Sequence, residues 1–273
     1  MIAKILELGA CGESPAARVY TFCPLVRNSA IVSKVSVNLA ITLLVFSMVF
    51  PVRQSVADEE QQCVVLLHGL FRSSAAMKPL EWYLEYGGYL VVNQGYDSVT
   101  APIEVLAEIS VGEGIAKCQA FGPSRIHFVT HSLGGVLVRQ YASMHTLPAQ
   151  TRVVMLGPPN QGSQVADYYA GLEWTDGLRP QAIDQLAKGD ESLPLKLGPV
   201  DFQLGVIAGN LRGSTWLPGF PDQPSDGTVS VAETVVPGML DFLQMPVLHT
   251  FMIWNPLVWD QAVHFLREGA FSR

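Results

Sequence analysis

Ser132, Asp226 and His249 are the side chains of this sequence whose types and settings could do chemistry together. A serine hydroxyl is a weak nucleophile at neutral pH. A histidine can take its proton and later return it to a leaving group, and a carboxylate can fix that imidazole's tautomer and stabilise its charged form. Ser132 lies within Phe128-Val129-Thr130-His131-Ser132-Leu133-Gly134-Gly135. Ile126 to Val129 is apolar and β-prone, whereas Val136, Leu137 and Tyr141 recur at helical spacing. The stretch therefore reads strand, tight turn, helix, with Ser132 at the apex. Such a turn lifts the hydroxyl clear of a sheet, and the helix start behind it offers N–H groups and partial positive charge to an oxyanion. Gly134 allows a close pass of the strand and Gly135 tight helix packing. Thr130 stands where the G-x-S-x-G pattern has its first glycine.

The candidate acid and base come later, in the order serine, acid, histidine. Asp226 sits in Ser225-Asp226-Gly227-Thr228-Val229, where Asp-Gly makes a turn that leaves the carboxylate facing back. Asp222, between Pro221 and Pro224, is the competing acid. His249 follows Pro246–Leu248, read as a short strand. Five other histidines compete for the base. His131 is expected to point away from the turn, and His68 belongs to a glycine turn. His127 lies within a strand, His145 ends the helix after Ser132, and His264 falls on the outer face of the last helix.

Cys63 to Leu67 is a continuous apolar run, as in a parallel strand buried on both faces. It ends in His68-Gly69-Leu70, which puts the backbone N–H of Leu70 at the carboxyl edge of the sheet, where ligands bind in open α/β folds. With the N–H of Leu133 it makes a two-donor oxyanion hole. Helices are expected over Met77–Tyr86, Ile103–Cys118 and Leu257–Leu266, and further strands over Tyr89–Asn93, Arg152–Leu156 and Phe202–Ala208. Alternation of strands with helices means an α/β fold with a mostly parallel sheet. Residues 163–204 read as a small cap of one or two helices, in which Tyr168, Tyr169, Leu172, Trp174 and Leu178 line a pocket or pack on the sheet.

The 273 residues are 49% hydrophobic and 15% charged, which suits one α/β domain with a large core. A net charge of −7 argues against nucleic acid as a partner, since phosphate binding needs a basic surface. Residues 1–57 stand apart from the domain at 58–273. Val35 to Val52 carries no charge, Lys34 precedes it, and Ser55-Val56-Ala57 is a small-x-small cleavage signal. That layout is a secretory signal peptide with a long leader, or a membrane anchor if uncleaved. The expected location is accordingly periplasmic or secreted, with inner-membrane anchoring through residues 35–52 as the alternative. Residues 1–57 hold five basic and two acidic side chains, so 12 basic and 22 acidic ones remain, a net charge of −10.

Export permits a disulfide between Cys63 and Cys118, both placed at the amino edge of the sheet; two buried free thiols are the alternative. No second Cys or His lies at ligand spacing to either, and nothing in the sequence implies a metal or cofactor.

The strings V-V-L-L-H-G-L, V-T-H-S-L-G-G-V-L, G-P-P-N-Q-G-S, S-D-G-T-V and L-H-T-F-M, in that order across residues 62–268, resemble the bacterial lipase/esterase branch of the α/β-hydrolase superfamily. The resemblance implies an eight-stranded sheet trimmed of its first strands, metal-independent acyl transfer and small-molecule or lipid ester substrates. By position it implies Ser132, Asp226 and His249 as a catalytic triad, Leu70 and Leu133 as oxyanion donors, and His68, Gly69 and Gly134 as supporting turn residues. An acyltransferase or thioesterase would share this machinery, because the acceptor is chosen by the pocket. A non-catalytic binding member of the fold is the reading from another class.

Overall fold

The computed structural model describes residues 61–173, 179–189, 191–211 and 224–273. The leader segment, the competing acid Asp222 and the cap residues Trp174 and Leu178 lie outside the described residues. Six strands form one sheet: β1 (Gln62–Leu67), β2 (Leu90–Gln94), β3 (Arg125–His131), β4 (Arg152–Leu156), β5 (Gln203–Gly209) and β6 (Asp241–Met245). Every pair is parallel, in the order β2-β1-β3-β4-β5-β6. The chain steps one way from β1 to β2, then crosses back over β1 to β3 and continues the other way. This reversal opens a crevice at the carboxyl ends of β1 and β3, where ligands bind in such sheets.

The helices are α1 (Lys78–Tyr86), α2 (Ile103–Gln119), α3 (Leu133–Met144), α4 (Gln164–Ala170), α5 (Gln181–Leu186), α6 (Leu193–Lys196), α7 (Val231–Thr234) and α8 (Pro256–Glu268). Their ends follow local chemistry. Asn255 caps α8 by accepting the Leu257 N–H at 2.9 Å, Pro256 opens it, and left-handed Gly269 closes it. Successive strand residues point to opposite faces, so each strand feeds two cores. Val65, Leu67, Phe128, Val153 and Met155 pack under α2 and α3, with Leu133 and Leu137 among the contacts. Val64, Leu66, Val129, Val154 and Ile207 pack under α1 and α8, against Leu80, Leu84, Phe265 and Leu266. The result is a helix–sheet–helix sandwich.

Two expectations are corrected. The last strand is β6, Asp241–Met245, and Pro246–Leu248 is the loop beyond it. Among the described residues β6 pairs with one strand, β5, and is half exposed along its length, so its sequence Asp-Phe-Leu-Gln-Met lacks a buried apolar run. The cap between β4 and β5 has three short helices, α4 to α6, rather than one or two. The six strands among the described residues are in keeping with an eight-stranded sheet trimmed of its first strands.

Cys63 and Cys118 form a disulfide with Cα atoms 5.8 Å apart, and both are fully buried. It ties the end of α2 to the start of β1, at the amino edge of the sheet. The bridge spans 55 residues of sequence, and closing a loop of that size in the unfolded chain removes about 4 kcal/mol of conformational freedom. Replacing both cysteines by alanine is expected to lower unfolding stability by roughly this amount. Denaturant titration of the variant beside the oxidised parent checks it.

His127 in β3 is held neutral. Its Nδ1 accepts the Arg152 backbone N–H at 3.0 Å, and its Nε2 faces the Gln62 amide oxygen at 3.0 Å, so Nε2 carries the proton. Burial, reinforced by Arg152 and Arg125, pushes its pKa from 6.5 down to about 4. Between those values the unfolded chain binds a proton here that the folded chain refuses. Stability therefore falls as pH falls across that window, by up to about 3 kcal/mol from this group. His127→Asn is expected to flatten the dependence of unfolding free energy on pH by about one proton, measured by denaturation between pH 7 and 4.5.

Candidate active site

Ser132 occupies the turn between β3 and α3 with φ 53° and ψ −122°, a conformation that a residue with a side chain rarely adopts. The turn is pinned on both sides: the Ser132 N–H donates to Leu156 O at 2.9 Å, and the Gly135 N–H to Ser132 O at 3.0 Å. Ser132 is the N-cap of α3, yet its hydroxyl makes no capping bond, which leaves it available to a ligand. Gly134 is required by the close approach of β1. A Cβ there would stand 2.7 Å from Leu67 O and 2.9 Å from His68 O. Gly135 meets Met155 in the same way, with a Cβ 3.0 Å from its sulfur. Thr130, in the elbow's first position, is fully buried with its hydroxyl 3.4 Å from Val154 O.

Asp226 and His249 form a close pair. The His249 Nδ1 lies 2.6 Å from Asp226 Oδ2, and since a carboxylate only accepts, Nδ1 holds the proton and Nε2 is left as the acceptor. The other carboxylate oxygen accepts the N–H groups of Thr228 at 2.9 Å and Val229 at 2.7 Å. Asp226 is 1% exposed, so both oxygens spend their lone pairs on directed donors rather than water. The backbones are joined as well, with the His249 N–H on Asp226 O at 2.9 Å. Gly157, at the end of β4, makes room for the pair. Its φ is +58°, and a Cβ there would sit 2.9 Å from Asp226 Oδ2 and 3.0 Å from His249 Nδ1.

His131 corrects the expectation that it points away. Residues two apart in a strand share a face, so His131 follows Val129 onto the side covered by the loop that carries His249. Its Nε2 donates to the His249 carbonyl at 3.0 Å, and the two rings are 4.6 Å apart. Burial, then the neighbouring His249, holds the His131 imidazole well below its usual pKa, so the ring at Ser132's shoulder is neutral. His68 is buried too, and burial lowers its pKa. It stacks on Tyr96 at 4.1 Å, while the Tyr96 hydroxyl donates to the His68 carbonyl and so fixes the turn after β1.

That turn brings Leu70 beside the elbow. The Arg72 N–H closes it on Gly69 O at 3.3 Å, and Phe71 takes a left-handed φ of 57° with its N–H on the Ser98 hydroxyl at 3.0 Å. Gly69 lies against Ser132, since a Cβ on it would be 3.0 Å from the Ser132 Cβ. Among the described residues, neither the Leu70 nor the Leu133 backbone N–H donates a hydrogen bond. Two unused donors flanking one serine are what an oxyanion site requires.

Ser132, His249, Gly69 and Leu70 line a cavity of about 470 Å³ at the carboxyl edge. Its walls come from the cap residues Val165, Ala166, Tyr169, Ile183 and Leu186, and from Pro159 and Val229. Tyr169 thus lines the pocket, and Tyr168 packs edge-on against it at 5.7 Å. Asp226 and Leu133 stand directly behind this lining, whereas Cys63 and Cys118 are at the opposite edge of the sheet. A hollow of about 520 Å³ between residues 142–151 and 201–203 also lies at that opposite edge and contains none of these groups. Among the described residues, no three His, Cys, Asp or Glu side chains are gathered as metal ligands, and no helix is long and apolar enough to cross a membrane.

The sequence places the loop Gly157–Ser163 after β4 at the border of the site, and Pro159 and Ser163 do line the cavity. It does not show the space that Gly157 leaves for Asp226 and His249, the Thr228 and Val229 donors, the Phe71–Ser98 contact or the His131–His249 bond.

No family model and no curated protein matches the chain. Solved structures do. The mature Bacillus licheniformis lipase BlEst2 superposes with a TM-score of 0.57 at 19% identity, over 77% of this chain and 93% of that one. Aspergillus fumigatus lipase B gives 0.53 at 14% identity, over 82% of this chain but only 56% of its own. The product of the Listeria innocua gene lin2722 gives 0.51 at 16% identity, over 76% and 94%. The fold is that of the α/β-hydrolases.

Proposed function

We propose that this protein is a serine hydrolase that cleaves carboxylic esters through an acyl-enzyme. Ser132 Oγ attacks the ester carbonyl while His249 Nε2 takes its proton. The tetrahedral oxyanion is held by the N–H groups of Leu70 and Leu133, and Asp226 stabilises the imidazolium. His249 then returns the proton to the departing alcohol. Water, activated by the same histidine, releases the acid and regenerates Ser132. The observation that carries this reading is the 2.6 Å Asp226–His249 pair opening onto the cavity that Ser132 faces from a strained elbow.

The lipases among the structural neighbours agree with ester chemistry on this fold. The cavity, mostly apolar and about 470 Å³, is suited to a short or medium acyl chain. The Cys63–Cys118 bridge favours an oxidising compartment, in keeping with export under the direction of residues 1–57. Hydrolysis of p-nitrophenyl esters from acetate to palmitate tests the reading. Turnover with an optimum at about four to eight carbons is expected. Absence of turnover across the whole series would refute the proposal, and a maximum at palmitate would refute its chain length.

A further inference from the structure

We propose that Arg72 makes this site selective for esters whose alcohol part carries an anionic group; the proposal rests on the ester-hydrolase reading above. Arg72 is the one charged side chain among the described residues that line the catalytic cavity, and no Asp or Glu lines it. The guanidinium has five N–H donors, of which one hydrogen bond is used, from Nη2 to the Thr250 hydroxyl at 3.0 Å. No carboxylate pairs with it among the described residues. Arg72 is an exposed residue of the cavity lining.

Two features distinguish it from a solvated surface arginine. Its backbone belongs to the turn that carries Leu70, closed by the bond to Gly69 O and by the Phe71 N–H on buried Ser98. Its head is tethered to Thr250, the residue directly after His249. The cation is thus held between the two walls that flank the reacting carbon. The side it serves follows from the chemistry. The departing alcohol takes its proton from His249 and so must lie beside His249, next to Thr250 and Arg72. The acyl chain has the apolar cap residues, Val165, Ile183 and Leu186 among them, on its own side. A free cation here also runs against the acidic balance of the chain, net −7, so it focuses the local field on an anion that the rest of the surface repels. A phosphate or carboxylate on the alcohol would accept two parallel N–H bonds from the planar fork.

The test compares three octanoyl esters with the full chain: of glycerol, of glycerol 3-phosphate and of lactate. Octanoate release gives kcat and KM for each. The acyl group is constant, so each ratio reports the alcohol alone. At low salt kcat/KM is expected to be about tenfold higher for an anionic ester than for the glycerol ester, mainly through KM, and to converge with it as salt rises. The phosphate and lactate arms identify which anion is taken. In Arg72→Gln the anionic-to-neutral ratio should collapse towards one, and Arg72→Lys should keep part of it, because charge survives without the fork. Equal or lower rates on both anionic esters in the parent would overturn the proposal, as would a preference that persists in Arg72→Gln or ignores salt. If Arg72→Gln disturbs the turn, the ratio and salt dependence of the parent still decide. Turnover of the glycerol ester without a charge preference sinks this inference alone. Inertness towards all three sinks the hydrolase reading and this one with it.

Discussion

Ser132→Ala is expected to lower kcat/KM for p-nitrophenyl butyrate by about 10⁴- to 10⁶-fold, without loss of folded protein. The size follows from what remains. The Leu70 and Leu133 donors and the cavity persist in the variant, so substrate still binds and its carbonyl is still polarised. No covalent intermediate can form, and water must attack directly. Stability should not fall, since the Ser132 hydroxyl caps nothing. Its φ of 53° is strained for alanine and serine alike, so relief or retention of that strain cancels between them. Thermal midpoints within a few degrees, beside an activity loss of this order, separate a missing nucleophile from a damaged fold. A loss under about tenfold would move the nucleophile elsewhere.

Asp226→Asn is expected to cost about 10⁴-fold in kcat, and the geometry says why. Oδ1 accepts two backbone N–H groups, from Thr228 and Val229, so an amide nitrogen cannot stand there. The Asn amide nitrogen must therefore face His249. Facing a donor, Nδ1 becomes an acceptor, and the proton moves to Nε2. The ring keeps its place but can no longer take the proton of Ser132. Steady-state kinetics should show kcat falling far more than KM rises, with the His131–His249 contact intact in a structure of the variant. A near-native kcat would mean that Asp226 is only a structural turn residue.

Much of this site was legible because its chemistry is local. The strand before Ser132 and the helix after it are set by Ile126–Val129 and by the Val136–Leu137–Tyr141 periodicity, and Asp-Gly fixes its own turn. The order of Ser132, Asp226 and His249 could be read without knowing their distances. Where reasoning failed, the controlling contact was remote. β6 is an edge strand covered on neither side by a full apolar layer, so Asp241–Met245 shows no buried run, whereas the apolar Pro246–Leu248 beyond it is loop. Read from the turn alone, His131 points away, but its direction is set by strand alternation and by the distant loop that supplies the His249 carbonyl. Gly157 is a space rather than a contact. The need for it appears only once Asp226 and His249 are seen to converge on the end of β4.

The central claim is that Ser132 is a nucleophile activated by the Asp226–His249 pair. Reaction of the folded protein with a fluorophosphonate, followed by mass mapping of the adduct, tests it most directly. A single adduct on Ser132 is expected, formed far more slowly in Asp226→Asn and absent in Ser132→Ala. No adduct, or one on another serine, would contradict the account.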